Sequence, residues 1–234
     1  MSSHSALDAI AGGIVVSCQA APGTPLADPT IIAALARASE VGGAVGLRIE
    51  GLADIRAVQQ VSRLPIIGLV KVSYPDSSVY ITPTAAEAAD LIDTGVEIIA
   101  LDATLRPRPR ESLAEIVRMI RSASDALVMA DVSTLAEGLS ALELGVDIVG
   151  TTLHGYTPES GPSDGPAFRL IEDLAAAGGW VVAEGRVWTP KDVAHCYDAG
   201  ARSVVVGGAV TDPISITRRL TRAAMASTGE KVRP

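Results

Sequence analysis

Short apolar runs in this chain repeatedly end on a residue that can do chemistry. The residues are Gln19, Arg48 with Glu50, Lys71, Asp102 with Thr104, Asp131 with Ser133, Thr152 with His154, and Glu184, and the last run ends in "GGAVT". Lys71 closes "PIIGLVK" and Glu184 closes "WVVAE", so one run delivers an amine and another a carboxylate. That pair suits proton transfer at a carbon next to a carbonyl, where one group takes a proton and another donates or positions. A lysine acts as a base only when neutral, so burial must depress its pKa against the pull of a carboxylate such as Glu184. Gly185, Gly207 and Gly208 follow the last two runs, and glycine lets backbone N–H groups approach an anion closely.

Each of these residues also has a plainer reading. Lys71 alone is a hydrated amine at a rim, and Glu184 alone forms a local ion pair with Arg186 that contributes little if exposed. Asp131 and Ser133 precede "TLAEG" and are types that cap a helix. "VGG" alone is a tight turn. Chance, however, does not put a polar group at the end of every apolar run.

The runs that must position these groups number eight: "GGIVVSCQA", "AVGLRIEG", "PIIGLVK", "EIIALDAT", "LVMADVS", "DIVGTTLHG", "WVVAEG" and "SVVVGGAVT". Between them lie Ala/Leu-rich segments with helical spacing, such as "DPTIIAALARASEVG", "TAAEAADLIDTG", "ESLAEIVRMIRSAS", "TLAEGLSALELG" and "TPKDVAHCYDAG". Several open on Asp, Ser or Thr and close on Gly, as capped helices do. A repeat of roughly 20 to 32 residues is the span of a βα unit, and eight such units close into a barrel. The expectation is a single-domain α/β protein, a (β/α)8 TIM barrel over residues 1–234, with 1–10 as an N-terminal extension and 226–234 as a frayed tail. A doubly wound open sheet shares the local pattern, but no GxGxxG follows the first run. In a ring of eight, strands three and seven are opposite, so Lys71 and Glu184 face each other across the mouth. Loops seven and eight are the usual phosphate site of such barrels.

Composition narrows the function classes. The chain of 234 residues is 48% hydrophobic with 22 Gly and one Phe, which suits strands buried on both faces under helices. A formal charge of -8 offers no basic footprint for nucleic acid or an anionic membrane. The start lacks a basic segment followed by a long apolar one, and no uninterrupted apolar stretch of about 18 residues follows, so a cytoplasmic protein is expected. Cys18 and Cys196 belong to no metal pattern, and His4, His154 and His195 are scattered, so no metal is expected. Barrels of this size often dimerise, and a homodimer is one assembly to expect.

The stretches "GGIVVSCQA", "GLRIEG", "IIGLVK", "YPDSSVYITPT", "IIALDATLRPRP", "ADVSTLAEG", "GTTLHGYTP", "VVAEGRVWTP" and "VVVGGAVT", in that order, resemble the N-acetylmannosamine-6-phosphate 2-epimerase family. The resemblance runs through nearly the whole chain after the first ten residues. It implies a (β/α)8 barrel that interconverts N-acetylmannosamine 6-phosphate and N-acetylglucosamine 6-phosphate by inverting C2, in sialic-acid catabolism, with no cofactor. It places Lys71 at the family's catalytic lysine and Glu184 at its catalytic-site glutamate. Gln19, Arg48 and Asp131 fall on sugar-pocket positions, and Thr152, at the sixth strand mouth, joins them as a substrate-binding candidate. Gly185, Gly207 and Gly208 fall on the phosphate loops, with Arg186 the nearest cation. Two positions depart: Ser73 stands where Asp is frequent, and Asp212 stands where Arg is common.

Because a sugar C2 proton is acidic only beside a C1 carbonyl, the ring-opened aldehyde is the expected reactive form and an enolate the intermediate. Lys71 moves the C2 proton in this reading, and Glu184 is a second acid/base or the holder of a sugar hydroxyl. The alternatives are another phosphosugar isomerase, a Schiff-base aldolase on Lys71, and a non-catalytic phosphosugar-binding barrel.

Overall fold

The computed structural model describes residues 3–228. Eight parallel strands close into one barrel in sequence order: β1 (Ile14–Cys18), β2 (Gly46–Glu50), β3 (Ile66–Leu69), β4 (Ile98–Asp102), β5 (Leu127–Asp131), β6 (Ile148–Gly150), β7 (Val181–Glu184) and β8 (Ser203–Val206). Closure of β8 onto β1 rules out the open doubly wound sheet. The crossovers carry α2 (Pro29–Val41), α3 (Leu52–Gln59), α4 (Ala85–Ile92), α5 (Leu113–Ala123), α6 (Leu135–Glu143), α7 (Phe168–Ala176) and α8 (Pro190–Asp198). Helices α1 (Ser3–Ile10) and α9 (Pro213–Thr228) flank them.

The helix starts follow the side chains that open them. Thr84, Ser112, Thr134 and Thr189 cap α4, α5, α6 and α8 with reciprocal capping boxes, and Asp28 caps α2 ahead of Pro29. Each such box satisfies backbone N–H groups that the first helical turn leaves unpaired. At the other end of α6, Gly145 turns the chain with φ 76°, a left-handed conformation that glycine adopts without steric cost.

The pleat of the strands builds two cores. In β3, Ile67 and Leu69 pack inside the barrel, while Ile66 packs outward against the helices. In β5, Leu127 and Met129 face inward and Val128 and Ala130 outward, and β4 repeats the pattern with Ile98 and Ala100 against Ile99 and Leu101. Successive side chains alternate faces, so the next inward positions along these strands are Lys71, Asp131 and Asp102. This parity carries the interior out to the polar mouth.

The residues before β1 form α1, whose buried Ala6 and Ile10 join the inner core with Val15 and Ile67, against Val45 and Trp180 at the strand starts. The expected N-terminal extension thus closes the barrel at the end opposite the mouth. Residues 226–228 continue α9, and the remainder of the expected frayed tail lies outside the described residues.

Candidate active site

A cavity of about 420 Å³ opens at the C-terminal ends of the strands. Gln19, Arg48, Lys71, Thr152, Glu184, Gly185, Arg186, Gly207 and Gly208 all line it. Asp131, the remaining candidate, lies fully buried beneath them and holds two of them in place.

Arg48 is the centre of the polar floor. It is 1% exposed, inside the barrel, and its guanidinium donates to both Asp131 oxygens, at 2.6 and 3.3 Å. Glu184 Oε2 lies 3.3 Å from Arg48 Nη1. Burial alone would lower the arginine pKa, but the charges of Asp131 and Glu184 outweigh it and raise it, so Arg48 stays a cation. A buried charge is tolerated when paired and hydrogen-bonded in this way. The Thr152 hydroxyl sits 2.6 Å from Asp131 and 3.1 Å from Glu184, tying strands β5 and β7 through the loop after β6. Gly150 makes room for that contact, since a Cβ there would lie 3.1 Å from both Asp131 Oδ1 and Thr152 Oγ1.

Lys71 stands one step beyond the floor. It is exposed through the open mouth, its Nζ donates to Gln19 Oε1 at 2.7 Å, and Gln19 in turn donates to Ser17 at 2.9 Å. Desolvation inside the mouth, followed by the positive charge of Arg48, lowers its pKa, while Glu50, Glu184 and Asp131 pull the other way. Glu184 moves in the opposite direction: burial raises its pKa, Asp131 adds to this, and Arg48, the Thr152 hydrogen bond and Lys71 oppose it. Both shifts move the groups toward neutral pH, where a general acid or base is most effective. They form no direct ion pair among the described residues, which leaves the space between them open.

The backbone around Lys71 is fixed from two sides. Its N–H donates to Glu50 at 3.2 Å, and a tight excursion over residues 70–82 returns to pair Lys71 with Ile81. Thr82 closes that excursion with φ 43°, stabilised by hydrogen bonds exchanged with Val70. The same excursion brings Tyr80 into the cavity lining, where burial and the charges of Asp131 and Asp102 push its phenol up to about 12.

The glycine end is built by loops seven and eight. Gly185 (φ 106°) and Arg186 (φ 57°) both take left-handed conformations. The N–H groups of Gly185, Arg186, Gly207 and Gly208 donate to no acceptor among the described residues, and all four residues line the cavity. The Arg186 guanidinium is committed elsewhere: it donates to the carbonyls of His154 and Gly155 at 2.8 and 2.9 Å and stacks 4.0 Å over Tyr156.

The plainer readings resolve individually. Glu184 pairs with Arg48, not Arg186. Asp131 caps nothing, because Thr134 caps α6, while Ser133 donates to Glu137. Asp102 and Thr104 are taken up by Arg106, and His154 contacts the Ser133 carbonyl outside the cavity lining. Ser73 is exposed and off the lining, whereas Asp212 is on it. Tyr80, Tyr156 and Trp188 line the cavity without having been singled out in the sequence. All three stand in stretches that carry the family resemblance, "YPDSSVYITPT", "GTTLHGYTP" and "VVAEGRVWTP", without a pattern that marks them as lining. No metal-holding group of His, Cys, Asp and Glu occurs among the described residues.

The geometry meets known proteins at this point. Residues 32–226 match the family model described as "Putative N-acetylmannosamine-6-phosphate epimerase". A Clostridioides difficile (strain 630) protein named "Putative N-acetylmannosamine-6-phosphate 2-epimerase" is 46% identical over 222 residues, covering 93% of this chain and 98% of that one. One of the same name from Lactiplantibacillus plantarum is 44% identical over 218 residues, covering 91% and 96%. The solved structure of the N-acetylmannosamine-6-phosphate 2-epimerase from Clostridium perfringens superimposes with a TM-score of 0.91 at 45% identity, covering 93% of this chain and 95% of that one. With most of its length matched by the family model and its barrel shared, the chain belongs to the N-acetylmannosamine-6-phosphate epimerase family.

Proposed function

We propose that this protein is an epimerase that interconverts N-acetylmannosamine 6-phosphate and N-acetylglucosamine 6-phosphate in amino-sugar catabolism. The observation that carries the reading is Lys71: an amine with a depressed pKa in an open barrel mouth, across from Glu184 and above the Arg48–Asp131 pair. The sugar enters as the open-chain aldehyde, with C2 between Lys71 and Glu184. Neutral Lys71 takes the C2 proton, and the electron pair of the broken C–H bond moves into an enolate whose charge Arg48 stabilises. Return of a proton to the opposite face of C2 completes the inversion. Glu184, whose proton affinity burial raises, either supplies that proton or holds a sugar hydroxyl. Thr152 and Gln19 offer hydroxyl and amide groups to the sugar, and the N–H groups of Gly185, Arg186, Gly207 and Gly208 receive the phosphate.

Lys71→Ala tests the assignment. Turnover falls by a factor of about 10²–10⁴, the usual contribution of a positioned proton-transfer group, while the circular dichroism spectrum and melting temperature stay those of the wild type. Retained turnover in a folded Lys71→Ala protein would remove the residue from the chemistry.

A cytoplasmic homodimer belongs to the same proposal. Exposed Leu220 on α9 supports a partner face, and among the described residues no helix is long and apolar enough to cross a membrane.

A further inference from the structure

The phosphate end of the cavity carries an acid. Asp212, the residue before α9, lines the cavity beside Gly207, Gly208 and Ser215. Ser215 donates to the Asp212 carboxylate through its hydroxyl and, at 3.1 Å, through its backbone N–H. These hydrogen bonds hold the carboxyl below its usual range, so it is a full negative charge at neutral pH. The cations that line the same cavity are all engaged: Arg48 with Asp131 and Glu184, Lys71 with Gln19, and Arg186 with two carbonyls and Tyr156. Arg219 is drawn over the outer ring of Trp188 at 4.8 Å. Arg218 on α9 attracts the Asp212 carboxylate, more weakly than Ser215 does, but does not line the cavity, so among the described residues the charge that lines it beside the glycine N–H groups is the carboxylate.

We propose that Asp212 is a specificity-determining residue that weakens binding of a dianionic phosphate at this end of the cavity. The consequence is reduced preference for the 6-phosphorylated sugar, and the non-phosphorylated N-acylhexosamine joins the substrate class. The backbone N–H groups attract any oxyanion, and the carboxylate penalises the second negative charge of a phosphate most. The turnover part of this inference rests on the epimerase reading above; the binding part does not.

The test uses the full chain and two replacements, Asp212→Asn and Asp212→Ser, because both are good N-cap types and preserve the start of α9. Inorganic phosphate is titrated into each protein calorimetrically, and kcat/KM is compared for N-acetylmannosamine 6-phosphate and N-acetylmannosamine. Asp212→Asn should bind phosphate about tenfold more tightly, the scale of one charge–charge interaction in a partly solvated site, and the phosphorylated-to-free kcat/KM ratio should rise by a similar factor. The gain should shrink at high salt, which screens the repulsion in the wild type. Phosphate affinity that stays within about twofold, or weakens, in both folded variants would overturn the proposal. Should the wild type turn over neither sugar, the epimerase reading fails, and the phosphate titration still decides the role of Asp212.

Discussion

Lys71 works as a base only to the extent that its surroundings deprotonate it. Desolvation and Arg48 depress its pKa, and Glu184 is one of three carboxylates that restrain the fall. The neutral amine is the active form, so kcat/KM should rise with pH through an apparent pKa below the free lysine value of about 10.4. Glu184→Gln removes a negative charge that favours the ammonium, so the rising limb should move to lower pH even as the rate itself falls. A limb that stays in place, or moves upward, would mean that Glu184 does not act on Lys71 electrostatically. The amine, the carboxylate and the glycines were legible in the sequence because each ends an apolar run. The Arg48–Asp131 pair was legible only as two pocket candidates: 83 residues separate them, and only barrel closure places them in contact. The diversion of Arg186 onto the carbonyls of His154 and Gly155 had no sequence signal, since it depends on how the loop after β6 folds over the turn after β7.

Strands and helices were easier to read than the connections that finish them. Eight apolar runs with capped helices between them specify a (β/α)8 order, and the pleat fixes which residues point inward. Less visible was the excursion over residues 70–82, because its pairing of Lys71 with Ile81 depends on the left-handed Thr82 rather than on a turn-type glycine. In the sequence α1 looks only like an extension, yet its Ile10 is fully buried against the inner core. Ile10→Ala should therefore cost about 2–5 kcal/mol of stability, as buried aliphatic truncations do. The mouth is at the other end of the barrel, so the loss should appear in denaturant unfolding, with turnover at low temperature largely kept. Stability unchanged by Ile10→Ala would mean that α1 does not close the barrel.

As a whole, the molecule sets a few basic groups in an acidic background. A formal charge of -8 surrounds a mouth in which Arg48, Lys71 and Arg186 stand beside Glu184 and Asp212, so the attraction of the three cations for an anionic sugar is opposed within the lining itself. Asp212 works against that attraction at the phosphate end, so the same mouth that attracts the substrate also limits its grip on it. The barrel supplies what the chemistry needs: a dry floor where Arg48 is 1% exposed, and above it Lys71, a residue that reaches solvent while its amine is desolvated enough to hold its proton less tightly. Inversion returns a proton to the face of C2 opposite the one Lys71 deprotonated, so the hydrogen that arrives is not the one that left and comes from a group equilibrated with solvent. The most direct test is therefore to run N-acetylmannosamine 6-phosphate in deuterated water and read C2 by proton NMR. The account predicts deuterium at C2 of N-acetylglucosamine 6-phosphate from the first turnovers, and none in the presence of folded Lys71→Ala. Product that forms at the wild-type rate with its C2 protium fully retained would contradict it.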